Sequence, residues 1–276
     1  MPLSLTVLVE NRSRRADLAA GRGFSCWLDD GRARVLFDTG PDGRLIDNAA
    51  RLGIDLASVT HIVLSHGHYD HSGGLPALAQ WYAARGLRPQ LVSHPAAFAA
   101  REFRLGIGCW SRRLRRLGAP LTADEVARHF DWQPSATPVA LGDGGLMFLG
   151  AVGRARFPSD EHAIGQLADG SLDRVVDDSA LVWPGRNGAV VVSGCAHAGI
   201  GNVVESARAL PGCARVQAVL GGFHLRSAGP LQLWRVRRYF SRLGVTAVGA
   251  CHCSGWGRHW MPAQRDLSTG VRRVFD

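Results

Sequence analysis

Lysine is absent from this 276-residue chain, so all 32 of its basic side chains are arginines. Also missing are a C-x-x-C pair, a basic segment leading into an apolar run at the N-terminus, and any stretch near the roughly 18 apolar residues that a membrane span needs. No internal repeat of roughly 20 to 50 residues is present either. The first absence leaves a formal charge of +9 carried by guanidinium groups, which suits an anionic partner and is equally what a GC-rich coding bias produces. Without C-x-x-C there is no sign of a zinc ribbon or a thioredoxin-like redox site. The six cysteines, from Cys26 to Cys253, are too dispersed for a disulfide scaffold and are expected to be reduced. Lack of an export or membrane signal leads to the expectation of a cytoplasmic protein with no membrane partner. The missing repeat favours one domain over residues 1–276, and a 46% hydrophobic content supplies its core.

What is there is an alternation of short apolar runs with helical spacing. "LSLTVLVE" and "RARVLFDTG" read as strands, and "GRLIDNAARLGIDL" repeats Leu45, Ile46, Ala49 and Leu52 as a helix does. "THIVLSHGH" reads as a buried strand that delivers histidines at its end. Residues 95–140 differ in texture and are expected to be a helical and loop insertion or lid. Within it Arg101, Arg104, Arg112, Arg113, Arg115 and Arg116 form either a solvated helix face or an anion-binding lip, and "DWQPSATPVALGDGG" is expected to be a long polar loop. From Gly145 strand signals return in "LMFLGAV", "SALVW", "AVVVSGCAH", "VQAVLGGFH" and "VTAVGACHC", with helical patterns in "GIGNVVESARAL" and "LQLWRVRRYFSRLG". The last three strands end in Gly or Ala and then His, so histidines at four strand ends are expected to meet at one rim of an α/β protein.

The densest chemistry lies in "LSHGHYDHSGGL". At a strand end, residues two apart face the same side, so His66 and His68 can reach one cation. The turn that follows sends Asp70 and His71 to a neighbouring position, which suits two metals better than one. Imidazole and carboxylate ligands favour zinc, with iron or manganese admissible.

With "LFDTG", "VVSGCAHAGI", "LGGFHL" and "ACHCSG", this stretch resembles the metallo-β-lactamase superfamily, in the branch named after 7,8-dihydropterin-6-yl-methyl-4-(β-D-ribofuranosyl)aminobenzene 5′-phosphate synthase. The resemblance implies an αββα four-layer sandwich, two mixed β-sheets flanked by helices, with a dinuclear site on the sheet rim. It implies His66 and His68 on the first metal, Asp70 and His71 on the second, and His252 completing the second. Asp38 is implied as a carboxylate behind the ligands. Cys195 stands where many relatives carry a bridging aspartate, so it is either a bridging or supporting group or simply packed, and His197 is the preferred third ligand of the first metal. His224 is expected to act as acid or oxyanion stabiliser, with metal ligation the alternative. Arg154 occupies a place resembling a family arginine and is a candidate for anion contact, a surface role being the alternative. Arg22 stands where the branch commonly shows a histidine, a departure that bears on substrate choice.

Together these features imply a metallohydrolase with two divalent cations, in which a metal-bound hydroxide attacks a small anionic substrate, phosphorylated or pterin-like, and Asp70 collects the proton. The branch's namesake condensation also needs an anionic leaving group stabilised. A nucleic-acid phosphodiesterase is one rival, supported by charge and disfavoured by the lack of basic-aromatic stretches; a non-catalytic metal-dependent anion sensor is another. A homo-oligomer is compatible with all three.

Overall fold

Apolar β-rich runs become strands and the amphipathic segments between them become helices, as the periodicities require. A computed structural model describes residues 1–107, 110–155, 157 and 165–276. The chain begins with β1 (Leu3–Val9), β2 (Ser25–Asp29), β3 (Arg34–Phe37), α1 (Arg44–Arg51), β4 (His61–Val63), the short α2 (Tyr69–Ser72), α3 (Leu75–Ala83) and β5 (Gln90–Ser93). Next come β6 (Arg101–Ile107), β7 (Trp110–Arg116), α4 (Ala123–His129), β8 (Asp131–Pro134), β9 (Val139–Ala140), β10 (Met147–Phe148) and β11 (Gln166–Leu167). The C-terminal part adds β12 (Ala180–Gly185), β13 (Gly188–Ser193), α5 (Ile200–Arg208), β14 (Val216–Gly222), α6 (Pro230–Leu243), β15 (Ala247–Cys251) and β16 (Arg272–Phe275).

Two mixed sheets result, ordered β16-β1-β2-β3-β4-β5-β8 and β15-β14-β13-β12-β10-β9. Strand alternation then sorts the side chains into layers. Phe37, Val63 and Val92 of the first sheet and Val190, Val192 and Leu220 of the second share the core between the sheets. On the outer face of the first sheet, Leu36 and Ile62 pack with Leu45, Leu78 and Val126 from α1, α3 and α4. Val191, Val219 and Val248 face outward on the second sheet against Val203, Val236 and Phe240 from α5 and α6. The expected αββα arrangement is therefore observed.

Two expectations for residues 95–140 are corrected. The arginine-rich stretch is not helical: β6 and β7 pair as an antiparallel hairpin, with β11 as a third strand. The apolar positions Phe103, Leu105 and Ile107 recur every second residue, a strand period, and Gly106 penalises a helix by about 1 kcal/mol relative to alanine. The side chains of Arg104, Arg112 and Arg113, and all of Cys109, lie outside the described residues. The supposed polar loop contains β8, an edge strand parallel to β5. Trp132 secures it, its indole nitrogen donating to Ser93 Oγ at 3.0 Å and its ring meeting Phe98 at 5.3 Å. Both contacts are long-range and leave no local mark.

Candidate metal centre

The parallel strands β3, β4, β13, β14 and β15 end at one rim, where each chain leaves its sheet and releases the next side chains into a common space. Four of the residues there, Asp38, Ala196, His224 and His252, have left-handed φ values of 51° to 56°. For non-glycine residues this costs on the order of 1 kcal/mol or more each and is held only by surrounding structure. Gly67, between His66 and His68, is required by close approach: a Cβ there would stand 1.6 Å from the Ala97 carbonyl oxygen.

The imidazoles converge in two groups. His66 Nε2 lies 3.0 Å from His68 Nδ1 and 3.2 Å from His197 Nε2, while His71 Nε2 lies 3.2 Å from both His252 Nε2 and Cys195 Sγ. Asp70 Oδ2 is 3.4 Å from His252 Nε2. In three of the five rings the outward nitrogen is held by a hydrogen bond, and in a fourth it faces a carboxylate. His66 Nδ1 is 2.9 Å from Ser65 Oγ, His71 Nδ1 is 2.7 Å from Asp38 Oδ2 and His252 Nδ1 is 3.0 Å from Asn11 Oδ1. His68 Nε2 faces Asp173 at 3.6 Å. Anchoring one ring nitrogen and turning the other into a shared space is the arrangement a cation needs from histidine.

Charge follows the same division. Burial, reinforced by neighbouring imidazoles, holds His66 and His197 well below the ordinary histidine value, so their inward nitrogens keep lone pairs. Burial opposes protonation of His71 as well, but Asp38 and Asp70 outweigh it and raise this residue to about 9. A cation at His71 therefore competes with a proton. Asp70, which burial alone would raise, is instead lowered by His71 and His252 and is an anion.

Asp38 holds the arrangement from behind. Its buried carboxylate accepts from the Ser65 backbone N–H at 2.7 Å and the Ser65 hydroxyl at 2.7 Å, besides facing His71. Replacing it by Asn puts an amide N–H₂ where a donor already points. We expect Asp38→Asn to weaken metal affinity about 10- to 100-fold, the usual effect of losing such a partner, as measured by competition with a chelating dye. Unchanged affinity would exclude this supporting role.

His224 and Cys195 stand at the same rim. The His224 ring centroid is 4.6 Å from that of His197, and its Nδ1 is buried without a hydrogen-bond partner among the described residues. Cys195 Sγ contacts His71 and, at 3.2 Å, the sulfur of Cys253, a residue that the sequence reading did not single out although it sits beside His252 in "CHC". A pocket of about 330 Å³ opens over the cluster, lined by Asp70, His224 and Cys253 and by three cations, Arg22, Arg115 and Arg226. Arg115 is braced by Tyr69, whose ring centre lies 4.5 Å from the guanidinium and whose hydroxyl it hydrogen-bonds.

Arg101 is not at the surface, and Arg154 takes the surface role that was one of its two alternatives. Arg101, assigned to a solvated face or an anion-binding lip, is 1% exposed and ion-paired with Asp173 at 3.1 Å and Asp177 at 2.5 Å. Arg154 does not line the pocket; it donates to the Arg174 and Val175 carbonyls at 2.7 and 2.8 Å. For Arg101, two buried carboxylates occupy the guanidinium before a substrate can.

Comparison with known proteins gives a consistent picture. Residues 19–155 match the family described as the metallo-beta-lactamase superfamily. The chain is 29% identical over 243 residues to the 7,8-dihydropterin-6-methyl-4-(beta-D-ribofuranosyl)-aminobenzene-5'-phosphate synthase of Methanocaldococcus jannaschii, covering 82% of this chain and 76% of that protein. An uncharacterized protein of the same organism is 28% identical, with 91% of each chain covered. Among solved structures, Tm1679, a metal-dependent hydrolase of the beta-lactamase superfamily, superposes with a TM-score of 0.80 at 27% identity, covering 99% of this chain and 100% of that one.

Proposed function

Because this chain belongs to the metallo-β-lactamase superfamily, we propose that it is a metal-dependent enzyme of hydrolase type acting on a small anionic substrate, phosphorylated or pterin-like. The observation that carries this reading is the inward convergence of five imidazoles, four of them with the opposite nitrogen facing a partner. That donor set fits two divalent cations, zinc before iron or manganese: His66, His68 and His197 would hold one, and Asp70, His71 and His252 the other, with Cys195 beside both groups. Bound there, the cations supply Lewis acidity toward an ester or phosphate and activation of water near neutral pH.

The chain's own residues supply the rest. Asp70, ionised and open to the pocket, accepts the proton of the attacking water. His224, on the pocket wall beside His197, is placed to hydrogen-bond the developing anion or protonate the leaving group. Arg22, Arg115 and Arg226 bind the anionic end and turn the reactive bond toward the donor cluster. The phosphate in the name of the M. jannaschii relative is the kind of group such a wall accepts.

Metal analysis combined with a panel of phosphomonoesters, phosphodiesters and lactones tests this reading. We expect bound divalent metal and turnover of a phosphorylated small molecule. RNA cleavage with a steep salt dependence would replace the reading with a nuclease. Charge-assisted hydrogen bonds contribute about 1.5–3 kcal/mol, so Arg115→Ala and Arg226→Ala are each expected to raise KM about 10- to 100-fold, with Arg154→Ala near the wild type. Equal effects in all three would remove the pocket arginines from substrate binding.

A further inference from the structure

We propose that Cys253 and Cys195 act as a pair of thiolate ligands to the cation assigned to Asp70, His71 and His252, an inference that rests on the metal-dependent reading above. The two residues leave the ends of different strands, β13 and β15, and lie 58 positions apart, yet their sulfurs are 3.2 Å from each other. Cys195 Sγ is also 3.2 Å from His71 Nε2, and the donor atoms of Cys195, His252 and Cys253 all lie within 4.8 Å of one another. Both thiols line the pocket.

The other described cysteines show what a merely packed thiol looks like in this protein. Cys26 and Cys251 belong to the hydrophobic core between the sheets, and Cys213 to the outer core of the second sheet. Cys195 and Cys253 instead meet imidazoles, a carboxylate and each other.

The strand between them is adapted to the pair. Gly222 ends β14, which lies between β13 and β15, and a Cβ there would stand 2.8 Å from Cys253 Sγ and 2.1 Å from the Gly194 carbonyl oxygen. Only glycine leaves the space in which the thiol sits. The His224 backbone N–H donates to Cys253 Sγ at 3.2 Å, a bond that stabilises sulfur in its anionic form. On cation binding each thiol exchanges its S–H proton for a metal–sulfur bond and releases that proton to solvent. Two soft anions beside Asp70 favour a thiophilic cation over magnesium, calcium or manganese, and lower the positive charge left on it.

Titration of the reduced, metal-stripped full chain with Co²⁺ and Cd²⁺ tests the pair without any assay of activity. Wild type is expected to develop thiolate-to-metal charge-transfer absorption that saturates with metal. The band should fall by roughly half in Cys253→Ser and in Cys195→Ser and vanish in the double variant, because each thiolate is a separate ligand. Bound metal should meanwhile slow alkylation of Cys253 by iodoacetamide at least about 10-fold in the wild type, read by mass spectrometry, a measurement that needs no variant to fold. Metal bound without charge transfer, an undiminished band in Cys253→Ser, or alkylation indifferent to metal overturns the thiolate pair and leaves the metal-dependent reading standing. Wild type that binds no metal overturns both.

Discussion

His68→Ala is expected to lower kcat/KM by about 10³-fold or more: under the proposed assignment it removes one of three nitrogens from a cation, which forfeits several kcal/mol of charge stabilisation, and each 1.4 kcal/mol is tenfold. The geometry makes this substitution more informative than its neighbours. His68 Nδ1 is 3.0 Å from His66 Nε2, and its other nitrogen faces Asp173 at 3.6 Å, so truncation opens the first group of donors without disturbing the Asp38 carboxylate behind the second. Metal content measured on the same preparation should fall toward one equivalent per chain if the two groups bind separately. Retention of both full activity and full metal content in His68→Ala would refute the assignment. Loss of metal with activity intact would instead confine the cations to a structural role.

Arg101→Met should destabilise the protein by about 3–5 kcal/mol, the cost of stripping the partner from a buried charge. Arg101 is 1% exposed and neutralises Asp173 and Asp177, both buried. Without the guanidinium, two carboxylates remain within the fold, and at this chain length each kcal/mol lowers Tm by roughly 2–4 °C. The consequences extend to the site, because Asp177 Oδ2 accepts the Gly67 N–H at 2.8 Å and so fixes the turn between His66 and His68. Calorimetry on Arg101→Met, and on the same variant with Asp173→Asn and Asp177→Asn added, separates the causes: the triple variant should regain much of the loss. A single variant within about 1 kcal/mol of wild type would mean that the pairing contributes little.

How legible the protein was depends on how far along the chain the deciding contacts lie. Runs such as "AVVVS" and "VQAVLGG" declare themselves as buried strands, and two such halves with helices between them suffice for the class of fold. His66, His68, Asp70 and His71 are legible as a group because the pleat of a strand end and one turn of backbone bring them together whatever else the chain does. For β6 and β7 the period of two was present, but the run of arginines suggested a helical face. β8 held no adequate local signal, since its place rests on β5, Ser93 and Phe98.

The order of residue types thus decided the layers, the strand whose end carries the histidines and the spacing of the first donors, because each depends on neighbours within a few residues. Tertiary structure alone decided that Arg101 turns inward to two aspartates while Arg22, Arg115 and Arg226 turn toward the pocket, since which charge reaches solvent depends on what packs around it. It also decided that Cys253 meets Cys195. Those two sulfurs touch because β13, β14 and β15 lie side by side with a glycine on the middle strand, and a contact across three strands has no counterpart in the spacing along one.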